Sequence, residues 1–261
     1  MSERFDTLFA GMSEEIAIKT LGTDPSELSN PGLKYLAATR LGACTSLDSL
    51  EQLITAASKD SDNLYERITR RKALDALGRR KNPLALPTLL NALSLDDEPC
   101  VVNAADAIAR IGSELDPSAQ SLLLNALEGP DNQRRAVIQA FTRLRLADRN
   151  DAIQHCQQDD NPLVAGAARA HAVRVSQQID ALDPLISQLR DINPGRRRAA
   201  VIDLGDAGRM EALPALSRCP VSMPLRAKSA FQIAVHQDDG VDSAAIPWLE
   251  QLLQDDPRTL D

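Results

Sequence analysis

Apolar residues recur along this chain at helical spacing. Leu86, Leu89, Leu90 and Leu93 stand at i, i+3, i+4 and i+7, one face of a helix, and strand-type alternation does not occur. Short helices are expected to open on an Asn/Asp-Pro pair, at Asn30-Pro31, Asn82-Pro83, Asp116-Pro117, Asn161-Pro162 and Asn193-Pro194. There the Asn or Asp caps orphan N–H groups, while Pro brings a preset φ and no N–H to waste. Ala-Leu-Pro-Thr-Leu (85–89), Ala-Leu-Asp-Pro-Leu (181–185), Ala-Leu-Pro-Ala-Leu (212–216) and Ala-Ile-Pro-Trp-Leu (245–249) mark the outer helix of each repeat. The partner helix carries Ala-Ala-Thr-Arg-Leu-Gly (37–42), Ala-Leu-Asp-Ala-Leu-Gly (73–78), Ala-Ala-Asp-Ala-Ile-Ala-Arg-Ile-Gly (104–112) and Ala-Ala-Val-Ile-Asp-Leu-Gly (199–205). Aligned on the large apolar position, these segments give Leu41, Leu77, Ile108, Phe141, Ala172, Leu204 and Phe231, separated by 36, 31, 33, 31, 32 and 27 residues. That is the period of a helix pair.

The repeats resemble the HEAT family, whose first helix carries Pro and Leu and whose second carries Ala-Ala followed by Leu-Gly or Ile-Gly. The expected fold is therefore all-α, a HEAT-like α-solenoid of about seven helix pairs forming one domain. Residues 1–25 are expected to be an irregular cap, 26–240 the repeats, and 241–261 a capping helix and tail. The last helix is expected near 243–254, carrying Trp248, Leu249, Leu252 and Leu253. The Asp- and Gln-rich stretch 145–160 is the one interruption.

Composition narrows the function. Aromatics make up only 3% of the 261 residues, so the core is built from small and straight side chains that helices favour. With 37 acidic against 29 basic residues the net charge is −8, which repels a phosphate backbone and offers no general footprint for nucleic acid or an anionic membrane. No apolar run approaches the roughly 18 to 20 residues needed to span a bilayer, and the N-terminus has no secretory pattern. Action in the cytoplasm is expected. Cys44, Cys100, Cys156 and Cys219 are far apart, with no C-x-x-C pair and no His at ligand spacing, so reduced thiols and no metal are expected.

The stretch 63–81 is the least repeat-like. It carries Arg67, Arg70, Arg71, Lys72, Arg79, Arg80 and Lys81 against Glu66 and Asp75. Arg67, Arg71 and Asp75 share a helix face, either as a clamp for a carboxylate or phosphate or as a solvated face with an internal Arg71–Asp75 pair. Alignment of the repeats sets Thr39, Asp106 and Gln139 in the column of Asp75, and Tyr35, Val102 and Arg135 in the column of Arg71. Four successive repeats thus carry a polar group at one point, and a ligand is expected against Tyr35, Tyr65, Arg67, Arg71, Asp75, Asp106, Arg135 and Gln139. His155-Cys156 joins a base to a thiol, but neighbours on a helix do not face each other. His171 among alanines reads as a packing residue and His236 as a surface one. Arg196-Arg197-Arg198 reads as a surface feature or partner contact.

Three segments resemble the E/F-type phycobilin lyases, HEAT-like proteins of cyanobacteria and red algae. They are Lys-Tyr-Leu-Ala-Ala-Thr-Arg-Leu-Gly-Ala-Cys-Thr-Ser (34–46), Leu-Tyr-Glu-Arg-Ile-Thr-Arg-Arg-Lys-Ala-Leu-Asp-Ala-Leu-Gly-Arg-Arg-Lys (64–81) and Asn-Gln-Arg-Arg-Ala-Val-Ile-Gln-Ala (132–140). The resemblance implies a carbon–sulfur lyase subunit that takes a linear tetrapyrrole as substrate, needs no cofactor, and joins the pigment through a thioether to a cysteine of a phycobiliprotein subunit. Arg67, Arg71 and Arg135 would hold propionates and Asp75 and Asp106 would accept pyrrole N–H groups and serve the proton chemistry. Tyr35, Tyr65 and Gln139 would complete the pigment surface. The nucleophilic thiol would belong to the acceptor, leaving orientation and protonation to this chain. The resemblance also implies a heterodimer with a second HEAT-like subunit. The alternative it leaves open is a non-catalytic chaperone or scaffold for phycobiliprotein chromophore attachment and antenna assembly.

Overall fold

The computed structural model describes residues 9, 11–147, 151–236 and 240–254. The chain divides into two compact units, 1–137 and 138–261, and the division falls inside the helix Asp131–Leu144. The fold is all-α, and each unit is a stack of helix pairs.

In the N-terminal unit the helices are α1 (Glu14–Gly22), α2 (Leu33–Leu41), α3 (Leu47–Ser58), α4 (Leu64–Arg80), α5 (Leu86–Ala92), α6 (Glu98–Ile111), α7 (Pro117–Asn125) and the first half of α8 (Asp131–Leu144). The even-numbered α2, α4 and α6 pack side by side, and α3 and α5 lie against α4 and α6. The aligned residues Leu41, Leu77 and Ile108 are buried, with Ala37, Ala38, Ala73, Ala76, Ala104 and Ala107 around them. These small residues bring the helices close. A Cβ at Gly78 would lie 2.7 Å from the Cα and Cβ of Ala107, so the Leu-Gly motif at 77–78 is required by the contact of α4 with α6.

Two sequence expectations are corrected here. Residues 1–25 contain a nine-residue helix, α1, whose first turn is capped by Ser13 Oγ accepting the N–H of Ile16. It buries only Ala17 and Leu21, a stripe too short to stand out as a period. The Asn/Asp-Pro pairs also do different work from one another. Asp116, Asn161 and Asn193 cap α-helices, whereas Asn82 caps a single 3₁₀ turn (Pro83–Ala85) ahead of α5. Asn30 takes the N–H of Gly32 in a turn, and α2 starts after it.

The C-terminal unit holds the rest of α8, then α9 (Ala152–His155), α10 (Pro162–Arg174), α11 (Leu182–Ser187), α12 (Pro194–Ala207), α13 (Leu213–Arg218), α14 (Met223–Ala234) and α15 (Ile246–Gln254). Its core packs Val173, Leu185, Val201, Leu204, Leu213, Leu216 and Ile233. The aligned position fails once, at Phe231. Ala230 and Ile233 are buried in its place while Phe231 is 56% exposed. Backbone pairing of Val235 with Val241 and of His236 with Gly240 forms a two-residue antiparallel bridge before α15. Among the described residues no helix is long and apolar enough to cross a membrane.

Candidate functional site

Two charged clusters cross the helices of the N-terminal unit, and both run through α4. That helix is capped by Asn63, whose Oδ1 accepts the N–H groups of Tyr65 and Glu66, which fixes where Arg67, Arg70 and Arg71 emerge.

The first cluster centres on Asp97, the N-cap of α6. Its buried carboxylate takes the N–H of Cys100 and a two-pronged bond from Arg71, Nε at 3.0 Å and Nη2 at 2.9 Å. Arg67 Nη2 stands 3.4 Å and Arg70 Nη2 3.9 Å from the same Oδ2. Burial works to raise the pKa of Asp97. The hydrogen bonds and charge of Arg71, with the Cys100 N–H, outweigh it and lower the carboxyl to about 2. The same bonds raise the pKa of Arg71. Three guanidiniums thus meet one buried carboxylate, and Arg70 also reaches solvent-exposed Asp60 at 3.2 Å. Arg67, the most exposed of the three at 44%, holds Asp97 through one long contact from Nη2.

The second cluster is a ladder of alternating charge across α2, α4 and α6. Arg79 donates to the carbonyl of Thr39 and lies 3.4 Å from Asp75 Oδ2. Arg110 then bridges the two aspartates of the predicted column, 3.1 Å from Asp75 Oδ1 and 2.6 Å from Asp106 Oδ2. All four charged side chains are about one-third exposed, between 29% and 38%. The internal Arg71–Asp75 pair considered from spacing is not formed. Arg71 is drawn to Asp97, and Asp75 is neutralised from both sides by Arg79 and Arg110.

Asp75 and Asp106 of the predicted column are thus brought together by Arg110, and Asp97 and Arg110 are charged residues of these clusters that the sequence pattern did not single out, nor did it place Arg79 beside Asp75. Asp97 carried the signal of a helix cap, and Arg79 and Arg110 stood four residues after Asp75 and Asp106. Of the remaining predicted residues, Tyr35 is half-buried with its hydroxyl by Gly32, and Tyr65 is 38% exposed. Arg135 is half-buried on α8. Gln139 falls in the C-terminal unit, where its Nε2 donates to Asp203 at 3.3 Å.

Beneath the first cluster, Lys34 is 2% exposed and fully bonded, to the carbonyls of Leu21 and Thr23 and to Glu66 Oε1 at 3.1 Å. Its role is to hold α1, α2 and α4 together. Burial raises the thiol pKa values of Cys44, Cys100 and Cys219, which makes them poor nucleophiles at neutral pH. His155 is exposed and Cys156 Sγ faces the carbonyl of Ala152. His171 packs edge-on against Phe141 as a core residue, and the side chain of His236 lies outside the described residues. Among the described residues no three His, Cys, Asp or Glu side chains come together as metal ligands. The arrangement offers guanidiniums for carboxylates and fixed carboxylates for N–H donors, chemistry suited to holding a ligand rather than attacking one.

Residues 65–142 match the HEAT repeats family. The chain is 30% identical over 266 residues to a protein described as "Uncharacterized phycocyanin operon protein Y" from Pseudanabaena tenuis, a match that spans the whole chain. It is 31% identical over 159 residues to "Bilin biosynthesis protein PecE" from a Nostoc species and 27% identical over 223 residues to the protein of the same name from Mastigocladus laminosus, covering 60% and 82% of the chain. The chain spans 62% of the length of each of the first two relatives and 78% of the third. Among solved structures it is similar to a chain in the complex of CpcE and CpcF of phycocyanin lyase from Nostoc, with a TM-score of 0.79, 24% identity, and 92% and 94% of the two chains covered. That likeness shows the HEAT-type fold.

Proposed function

We propose that the chain belongs to the E/F-type group of HEAT-repeat phycobilin lyases and acts as a lyase subunit, a reading supported by its similarity to these relatives. It takes a linear tetrapyrrole and presents it to a cysteine of a phycobiliprotein. The observation that carries this reading is the sequence kinship along the whole chain with a phycocyanin operon protein. The charged ladder supplies a physical basis for it.

A linear tetrapyrrole carries two propionates and a row of pyrrole N–H groups. Arg67, bonded to Asp97 through Nη2 and 44% exposed, takes one propionate, and Arg71 is held by Asp97 in a fixed orientation beside it. Arg135 is assigned to the second propionate by its repeat position. Asp75 and Asp106, joined by Arg110, accept pyrrole N–H bonds and favour the protonated, electrophilic pigment. Tyr35 and Tyr65 flank the conjugated rings. In the bond-forming step the acceptor's thiol adds across the ethylidene double bond of ring A. The new C–S bond and the thiol's proton account for all atoms, and no oxidant is consumed. This chain's part is orientation and charge. A second HEAT-like subunit completes the enzyme, as the complex of CpcE with CpcF suggests.

The test is co-production of this chain with a bilin-synthesising pathway and phycobiliprotein subunits, followed by zinc-enhanced fluorescence on a denaturing gel. A labelled acceptor band that depends on this chain, alone or with a second HEAT-like chain, is the expected result. An unlabelled acceptor that nevertheless becomes more soluble would replace the lyase by a scaffold.

A further inference from the structure

The C-terminal unit has a cleft of about 450 Å³ that the reading above does not use, lined in part by Arg143, Arg174, Asp206, Lys228, Phe231 and Gln232. Its charges are unequal. Asp206 is nearly inaccessible and its oxygens are engaged, by Arg143 Nε at 3.0 and 3.2 Å and by Gln232 Nε2 at 2.9 Å. That leaves Arg174 and Lys228, neither of which forms an ion pair among the described residues.

Arg174 is set into the wall deliberately. Gly208, at φ +68° just after α12, leaves open the space where its guanidinium lies, and a Cβ at that position would collide with Nη1. Burial lowers the pKa of this guanidinium and the nearby positive charges of Arg145 and Arg209 lower it further, outweighing the opposite influence of Asp206. Asp206 is already engaged by Arg143 and Gln232, so a half-buried Arg174 with two further cations near it gains from an arriving anion. Phe231 supplies the apolar part. It is 56% exposed, where the equivalent residues of the other repeats, from Leu41 to Leu204, are buried. An exposed ring beside two available cations matches a carboxylate carried on a flat apolar ring.

We propose that this cleft binds a small-molecule carboxylate on an aromatic or conjugated ring system, with Arg174 and Lys228 holding the carboxylate and Phe231 packing on the ring. The inference does not rest on the pigment reading, and its test uses a probe that is no pigment. The full chain is titrated with 2-naphthoate in equilibrium dialysis, beside the neutral 2-naphthamide. Saturable binding of the carboxylate only is expected. Arg174→Gln and Lys228→Gln weaken it about tenfold each, as loss of a charge-assisted bond requires, and Phe231→Ala weakens it several-fold, while Lys19→Ala, which removes an exposed cation on α1, leaves it unchanged. Lys228 is exposed, so its variant keeps the test valid even if Arg174→Gln unfolds the unit. Equal binding of acid and amide, no saturable binding, or indifference to Lys228→Gln and Phe231→Ala would overturn the proposal.

Discussion

Replacing Asp97 by Asn isolates the contribution of its charge, because Asn also caps helices and can keep the bond from the Cys100 N–H. What it removes is the anion that gathers Arg67, Arg70 and Arg71. The carboxyl sits at about 2 in the folded chain, against about 3.9 in an unfolded one, and at 1.36 kcal/mol per pKa unit this difference amounts to roughly 2.5 kcal/mol at neutral pH. Breaking a fully buried pair costs roughly 3 to 5 kcal/mol. Here Arg67 and Arg71 can turn to water, being 44% and 30% exposed, so the lower figure applies, and Tm falls by about 5–10 °C. The sign with pH follows from the depressed value. The contribution is complete above the range in which the unfolded carboxylate titrates. It is lost as pH falls towards 2, with about half remaining at pH 3. Urea unfolding of wild type and Asp97→Asn, followed by far-UV circular dichroism at pH 7 and pH 3, therefore gives a gap that closes towards acid. A gap of less than about 0.5 kcal/mol at pH 7, or one of equal size at both pH values, would refute the electrostatic account of this cluster.

Other predictions follow from the same contacts. Gly78→Ala drives a methyl group into the backbone of Ala107, and a loss of about 1–3 kcal/mol is expected by urea unfolding; no loss would mean that α4 and α6 can separate freely. Glu66→Gln leaves the ammonium of Lys34 buried beside a neutral amide, so stability falls by about 3 kcal/mol, and Lys34→Met combined with it recovers part of the loss in a double-mutant cycle. Arg110→Ala costs less than about 1 kcal/mol because the side chain is 38% exposed, yet it disconnects Asp75 from Asp106 and weakens pigment binding in an absorbance titration. Unchanged pigment affinity in that variant would remove the ladder from the binding surface.

The sequence carried its fold in residues that must be small or apolar at fixed spacing. Leu41, Leu77, Ile108, Phe141, Ala172 and Leu204 each lie buried in a separate helix, because close packing permits few alternatives at such positions. Phe231 broke that rule because its exposure depends on the register of α14, which no local pattern records. The charged columns were legible for the same reason of periodicity, but the partners were not. Arg71 pairs with Asp97 at a separation of 26 residues and Arg110 with Asp75 at 35, and a guanidinium's choice among carboxylates is decided by burial and by the geometry between helices. Spacing on one helix favoured Arg71 with Asp75, while the folded chain offered Arg71 a buried acceptor in two-pronged geometry. Helix α1 was missed because two buried residues, Ala17 and Leu21, do not make a visible period.

The most direct test of the account is an absorbance titration of the purified full chain with a linear tetrapyrrole, comparing wild type, Arg67→Ala and Asp75→Asn/Asp106→Asn. The account predicts a saturable red-shifted complex in wild type. It predicts weaker binding on loss of Arg67, and loss of the red shift, which reports pigment protonation, when the two aspartates are neutralised. An identical complex in all three proteins, or none in wild type even with a second HEAT-like subunit present, would contradict it.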